Sequence, residues 1–261
     1  MLFPNINPVA LDLGFFKIHW YGITYLVAFV VGWWLATWRA SRPNSGWTKD
    51  EIGDLIFYVV LGVIVGGKLG SALFYNTAVL FSDPLTALNP VNAGMSFHGG
   101  FLGVLFAFYY YGRQTNRTFF QVADFIAPCI PIGLGFGRIG NFINGELWGR
   151  VTDVPWGMVF PHVDNLPRHP NQIYQFIGEG IIFFGILWWF SSTKRPRAAV
   201  SGMFCIGYGV YRFLIEFVRE PDRDIGFVAF DWVTMGQVLS VPMILAGMAM
   251  MYVGYKRKII D

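Results

Sequence analysis

The chain has 261 residues, of which 54% are hydrophobic, 18% aromatic and only 13% charged. Its mean hydropathy is +0.47. A soluble domain carries about a quarter charged residues, so the composition specifies an all-α polytopic membrane protein. The net charge of +3 is too small to argue for a nucleic-acid partner. Cys129 and Cys205 lie inside apolar segments without pairing or metal spacing, which makes them packing residues. Four histidines without ligand spacing give no metal site.

In chain order, the first apolar run begins near Tyr21 after a polar lead with no basic region, and no small-residue cleavage site follows it. It is therefore expected to remain as a span. A bilayer core needs about 20 apolar residues per helix. Seven candidates fall at 20–38, 52–75, 97–112, 121–140, 171–191, 199–217 and 234–254. Together they make one integral membrane domain over 1–261, with no inserted soluble domain. The third is short, and the fourth is rich in Gly and Pro.

Basic residues orient the spans. Arg39, Arg42, Lys49, Arg113, Arg117, Lys194, Arg195, Arg197, Lys256, Arg257 and Lys258 follow the odd-numbered spans. Lys17, Arg150, Arg168, Arg219 and Arg223 lie on the other side. Eleven against five places the C-terminus in the cytoplasm and the N-terminus outside.

With that orientation, polar residues that do not suit lipid converge on the outer leaflet. They are His19 and Tyr21 at the start of the first span, Lys68 in the second, His98 opening the third and Arg138 ending the fourth. Tyr208, Arg212 and Glu216, spaced four apart, share one face of the sixth. Ionisable groups at membrane depth mark functional sites. Each also has a plainer reading. Trp20 and its neighbours suit an interfacial aromatic belt, Arg212 and Glu216 an i,i+4 pair, and Lys68 outward snorkelling. His98 titrates near neutrality and can act as a base.

The densest cluster is Gly137-Arg138-Ile139-Gly140-Asn141-Phe142-Ile143-Asn144-Gly145-Glu146-Leu147-Trp148-Gly149-Arg150, where the fourth span ends. A re-entrant turn with Arg138 satisfying loose carbonyls is one reading. The other is an anion site: Arg138 and Arg212 have the forked geometry that matches phosphate, and no acid follows Arg138 before Glu146. In an outer-leaflet pocket the commonest phosphate is a phospholipid headgroup. Lipid chemistry and organic-anion transport both remain open on these grounds.

The same stretch resembles the signature of the bacterial phosphatidylglycerol–prolipoprotein diacylglyceryl transferases. His19-Trp20-Tyr21-Gly22, Met95-Ser96-Phe97-His98-Gly99-Gly100, Arg168-His169-Pro170, Gly207-Tyr208-Gly209-Val210-Tyr211-Arg212 and Met235-Gly236-Gln237 are similar to the family's other motifs, in the same order. The resemblance implies a seven-span enzyme of the bacterial inner membrane, with a periplasmic N-terminus and its active site toward the periplasmic leaflet. It implies transfer of the sn-1,2-diacylglyceryl group from phosphatidylglycerol to the lipobox cysteine thiol of a prolipoprotein signal peptide. A thioether forms and glycerol 1-phosphate leaves, as the first step of lipoprotein maturation. No metal or organic cofactor is implied, and the partners are membrane lipids and the signal peptide.

Carried over position by position, the resemblance assigns importance to Tyr21, His98, Arg138, Asn141, Glu146, Gly149, Tyr208, Arg212 and Glu216. Arg138 and Arg212 would stabilise the leaving phosphate. His98 would take the thiol proton or donate to lipid. Tyr21, Asn141 and Asn144 would contact the headgroup, Glu146 and Glu216 would hold arginines, and Tyr208 would anchor the network. The chain departs from some relatives in the short link from Trp156 to Arg168 and in having Lys68 where an arginine is expected.

Overall fold

The structure, a computed structural model, describes residues 1–89, 94–221 and 225–260. Arg223, counted above for orientation, lies outside these residues. In chain order the elements are β1 (Val9–Asp12), β2 (Lys17–His19), α1 (Trp20–Ala40), α2 (Lys49–Phe74), α3 (Thr77–Ser82), α4 (Pro84–Leu88) and α5 (Phe97–Gln114). Then come α6 (Phe119–Ile126), a 3-10 turn at Ala127–Cys129, α7 (Ile130–Ile143), β3 (Met158–Val159), β4 (Pro167–Arg168), α8 (Asn171–Gln175) and a π-helical segment at Phe176–Ile182. The chain continues through α9 (Phe183–Phe190), α10 (Ala199–Ile215), β5 (Phe227–Ala229), β6 (Val233–Thr234) and α11 (Met235–Arg257).

Each of the seven expected segments falls on helix. Among the described residues five helical stretches are long and apolar enough to cross a bilayer: Trp20–Ala40, Lys49–Phe74, Phe119–Ile143, Asn171–Phe190 and Met235–Arg257. Ala199–Ile215 is apolar but shorter. The fold is mostly helical, and among the described residues β1–β2, β3–β4 and β5–β6 form short two-stranded antiparallel sheets in the connections. These short pairs satisfy backbone groups in connecting segments that no helix continues through.

Helix limits follow from local chemistry. Thr48 with Glu51 opens α2, and Thr234 with Gln237 opens α11, each as a capping box. Ser96 caps α5 by accepting from Gly99 N at 3.2 Å. Pro128 and Pro131 lack amide hydrogens, and around them the fourth segment divides into α6, the 3-10 turn and α7. The start of α10 is capped from a distance: Asp124 accepts from Ala198 N at 2.6 Å, Ser201 N at 2.7 Å and Ser201 Oγ at 2.5 Å.

The chain divides into two compact units, Leu35–Ala123 and the pairing of Met1–Trp34 with Asp124–Asp261. In the smaller, α2 and α5 cross backbone to backbone. A Cβ on Gly70 would lie 2.8 Å from Gly99 Cα, so only glycine fits there. Arg117 Nη1 and Glu51 Oε1 pair at 2.6 Å, and Tyr111 donates to the Glu51 carbonyl at 2.8 Å. Lys68 is buried, which corrects the outward-snorkelling reading.

In the larger unit, Ala127, Phe183, Leu187 and Val200 form one core. Phe3, Met158 and Phe160 form another, packed with Phe142 and Trp148. The second core places the end of α7 against β3.

Candidate active site

The signature occupies the C-terminal half of α7 and the turn after it. A Cβ on Gly140 would lie 2.7 Å from Thr24 Oγ1 and 2.9 Å from Tyr21 Cδ2, so the missing side chain lets α1 approach. The Tyr21 hydroxyl lies 3.1 Å from that of Tyr25. One residue on, Asn141 is buried and donates from Nδ2 to Glu146 Oε1 at 2.7 Å. Asn144 Nδ2 donates to the same oxygen at 3.4 Å. Gly145 and Leu147 adopt positive φ of 66° and 60°, and these left-handed steps turn the chain back after the helix.

That turn is held by the segment containing Arg168-His169-Pro170. Gln172 Nε2 donates to the Glu146 carbonyl at 2.6 Å, and Asn171 Nδ2 to the Leu147 carbonyl at 3.0 Å. Gly149 N donates to the His169 carbonyl at 2.9 Å, and a Cβ at Gly149 would lie 2.6 Å from that oxygen. Gly149 is therefore a close-approach glycine. Arg168 reaches Asp164 Oδ2 at 2.6 Å, Glu220 Oε2 at 3.1 Å and the Gly149 carbonyl at 3.2 Å. The Arg168 guanidinium holds the Asp164 carboxyl below the usual carboxylate range. Partial burial pushes the His169 imidazole down, opposed by Asp153.

The charged groups form two linked sets. Arg138 on α7 donates from Nε to Glu179 Oε2 at 3.0 Å, and the Glu179 side chain is wholly buried. Arg212 pairs with Glu216 across one turn at the end of α10. Glu216 also accepts from Arg219 Nη1 at 3.1 Å and from Thr234 Oγ1 at 2.5 Å. Tyr208 lies near both Arg138 and Arg212 and stacks on Phe204 with ring centroids 5.9 Å apart. A cavity of about 70 Å³ lies beside α7, lined by Arg138, Ile139, Phe142, Gln172, Ile173 and Phe176. Fixed positive charge in such an apolar setting is suited to stabilising a developing phosphate charge.

Tyr21, Arg138, Asn141, Asn144, Glu146, Gly149, Tyr208, Arg212 and Glu216 all belong to the larger unit. His98 belongs to the smaller one, exposed in the first turn of α5, with Phe97 edge-on at 5.7 Å. One expectation needs correction. Glu146 holds asparagines where an arginine was expected, because the turn folds it back over Asn141. The carboxylate that pairs with Arg138 is Glu179, which lies outside the signature in a different helical segment. Sequence reasoning missed Glu179 although it is the only charged residue in the apolar run Asn171–Phe190, a signal of the same kind that singled out Arg138. It also missed Gln172 and Asn171, whose role as braces depends on the turn they meet. Among the described residues no group of three or more His, Cys, Asp or Glu could hold a metal ion. Cys129 and Cys205 are both free thiols.

A family model described as prolipoprotein diacylglyceryl transferase matches residues 8–253. The chain is 53% identical over 257 residues to the phosphatidylglycerol–prolipoprotein diacylglyceryl transferase of Aliivibrio salmonicida (strain LFI1238), covering 98% of this chain and 90% of the relative. The protein of the same name from Pseudomonas paraeruginosa is also 53% identical, over 98% of this chain and 97% of the relative. That of Coxiella burnetii (strain RSA 331 / Henzerling II) is 52% identical over 99% of both.

Proposed function

The chain belongs to the prolipoprotein diacylglyceryl transferase family, and on that footing we propose how its residues carry out the reaction. It is a phosphatidylglycerol–prolipoprotein diacylglyceryl transferase of a bacterial membrane. Sulfur of the acceptor cysteine, in the lipobox of the signal peptide, attacks C3 of the diacylated glycerol. The C–S bond forms, the C–O bond to phosphate breaks, and glycerol 1-phosphate departs with the electron pair. The nucleophile is the thiolate, so the thiol proton must go to a base, and His98 is the group assigned to that step.

The residues of α7 and α10 supply the other requirement. Arg138 and Arg212 offer guanidiniums to the phosphate as its charge grows. Asn141 and Asn144, tied to Glu146, and Tyr21 orient the headgroup. Glu216 holds Arg212 and Arg219. The observation that carries this reading is Arg138 on the signature helix, at the wall of an apolar cavity. The seven helical segments are taken as seven crossings of the inner membrane, with the N-terminus and the site on the periplasmic side. The excess of basic residues after odd-numbered segments supports that orientation.

The test is mass transfer in detergent or liposomes, using purified protein, phosphatidylglycerol and a lipobox peptide. The peptide is expected to gain one diacylglyceryl group only when its cysteine is present, with matching glycerol phosphate release. Arg138→Ala should lower the rate by about 100- to 1,000-fold, and His98→Gln should lower it without abolishing lipid binding. An unmodified peptide beside intact lipid would refute the transferase reading.

A further inference from the structure

We propose that Glu179 is a positioning residue for the phosphate-binding guanidinium of Arg138, a role that rests on the transferase reading above. The pairing is built by backbone contact. Gly135 on α7 and Gly180 in the π-helical segment meet so closely that a Cβ on Gly135 would lie 2.8 Å from Gly180 Cα. Arg138 lies one turn beyond Gly135, and Glu179 lies immediately before Gly180, so that crossing delivers each side chain to the other. Gly178, on the other side of Glu179, has its Cβ position filled by the Tyr211 ring. π-helical turns inside α-helices are uncommon and often occur at functional sites. Here one spans Phe176–Ile182, and Glu179 is at its middle.

The way the carboxylate is satisfied argues against a purely stabilising role. Glu179 is wholly buried, yet among the described residues only its Oε2 is hydrogen bonded, to Arg138 Nε at 3.0 Å. Its Oε1 is buried with no hydrogen-bond partner among the described residues. A buried ion pair is weak support for stability even when its hydrogen bonds are complete, and an unsatisfied oxygen adds a further cost. What the pair does accomplish is directional. By engaging Nε, Glu179 leaves the terminal Nη groups, the fork that matches phosphate, without a carboxylate hydrogen bond among the described residues. The Arg138 side chain is 19% exposed and that of Glu179 is 0% exposed. An anion can therefore approach the guanidinium while the carboxylate stays shielded behind it.

This arrangement makes a specific kinetic prediction. Glu179→Gln keeps an oxygen that can accept from Nε but removes a negative charge close to the phosphate site. Lipid binding should hold or tighten while the chemical step loses orientation. The experiment measures kcat and apparent KM for phosphatidylglycerol in mixed micelles for wild type, Glu179→Gln, Glu179→Ala, Arg138→Ala and the Arg138→Ala/Glu179→Ala double variant. Melting temperatures are recorded for all of them. The expected result is a fall in kcat of about 10- to 100-fold for Glu179→Gln, with KM unchanged or lower. Adding Glu179→Ala to Arg138→Ala should cost nothing further, since a residue acting through Arg138 has nothing left to position.

If Glu179→Ala does not fold, Glu179→Gln still decides by its kcat and KM. A wild-type kcat in Glu179→Gln, a raised KM with kcat intact, or additive losses in the double variant would each overturn the role assigned to Glu179. Wild-type protein that transfers nothing would overturn the transferase reading itself.

Discussion

Arg138 and Arg212 are both paired with carboxylates, but the two partnerships arise differently. Arg212 and Glu216 lie four residues apart on one helix, so α-helical geometry alone brings them together. Arg138 and Glu179 are 41 residues apart and meet only because two glycines allow two helical segments to touch. The Asp164–Arg168 pair differs again, because it lies outside the helices and its carboxylate, unlike those of Glu179 and Glu216, is partly exposed and can respond to bulk pH. Hydrogen bonding from Arg168 lowers the Asp164 pKa below its ordinary 3.8. The resulting stability is present above the unfolded carboxyl's pKa and is lost as pH falls through the lower folded value. Thermal melts of wild type should therefore fall on acidification below about pH 4, and Asp164→Asn should remove this pair's share of the fall. A change on the alkaline side instead would show that another group controls the contact.

At the level of elements, the site depends on close crossings and on a turn braced from outside. The Gly135–Gly180 contact sets how α7 meets the π-helical segment, and no side chain can be added there without separating them. Gly135→Val is expected to destabilise the protein by about 1–3 kcal/mol through overpacking. It should also lower transfer by more than the lost folded fraction, because Arg138 moves away from Glu179. Comparing the melting temperature with activity per folded molecule checks this, and equal losses in both would reduce the crossing to a packing contact. Gly137, two residues further along the same helix, has open space where a Cβ would go. Gly137→Ala is therefore the matched control and should leave activity near wild type. In the signature turn, Gln172 and Asn171 donate to successive carbonyls, which makes the Arg168-His169-Pro170 segment a support for the signature.

For the whole molecule, large apolar residues such as Leu26, Trp34, Phe57 and Trp189 are more than half exposed. In a membrane protein these surfaces face lipid. The seven-crossing proposal can be checked with single cysteines in a Cys129→Ala/Cys205→Ala background, which should keep its activity because the reacting thiol comes from the substrate. With an impermeant maleimide on intact spheroplasts, Asp153→Cys should label from outside, whereas Ser41→Cys and Ser192→Cys should label only after lysis. The reverse pattern would invert the orientation.

Much was legible in the residues themselves. Composition and apolar run length identified a helical membrane protein, because helices satisfy their own backbone hydrogen bonds in lipid. The signature and its companion motifs identified the family, and the i,i+4 spacing identified the Arg212–Glu216 pair. Local rules could not supply the partner of Arg138, the folding of Glu146 onto Asn141 and Asn144, the burial of Lys68, or the brace from Asn171 and Gln172. Each of these depends on segments far apart in the chain being brought to within hydrogen-bonding or packing distance. Spacing along one helix determines its own neighbours, but contacts between segments are decided by which backbones can approach, and here glycines and left-handed turns made that choice.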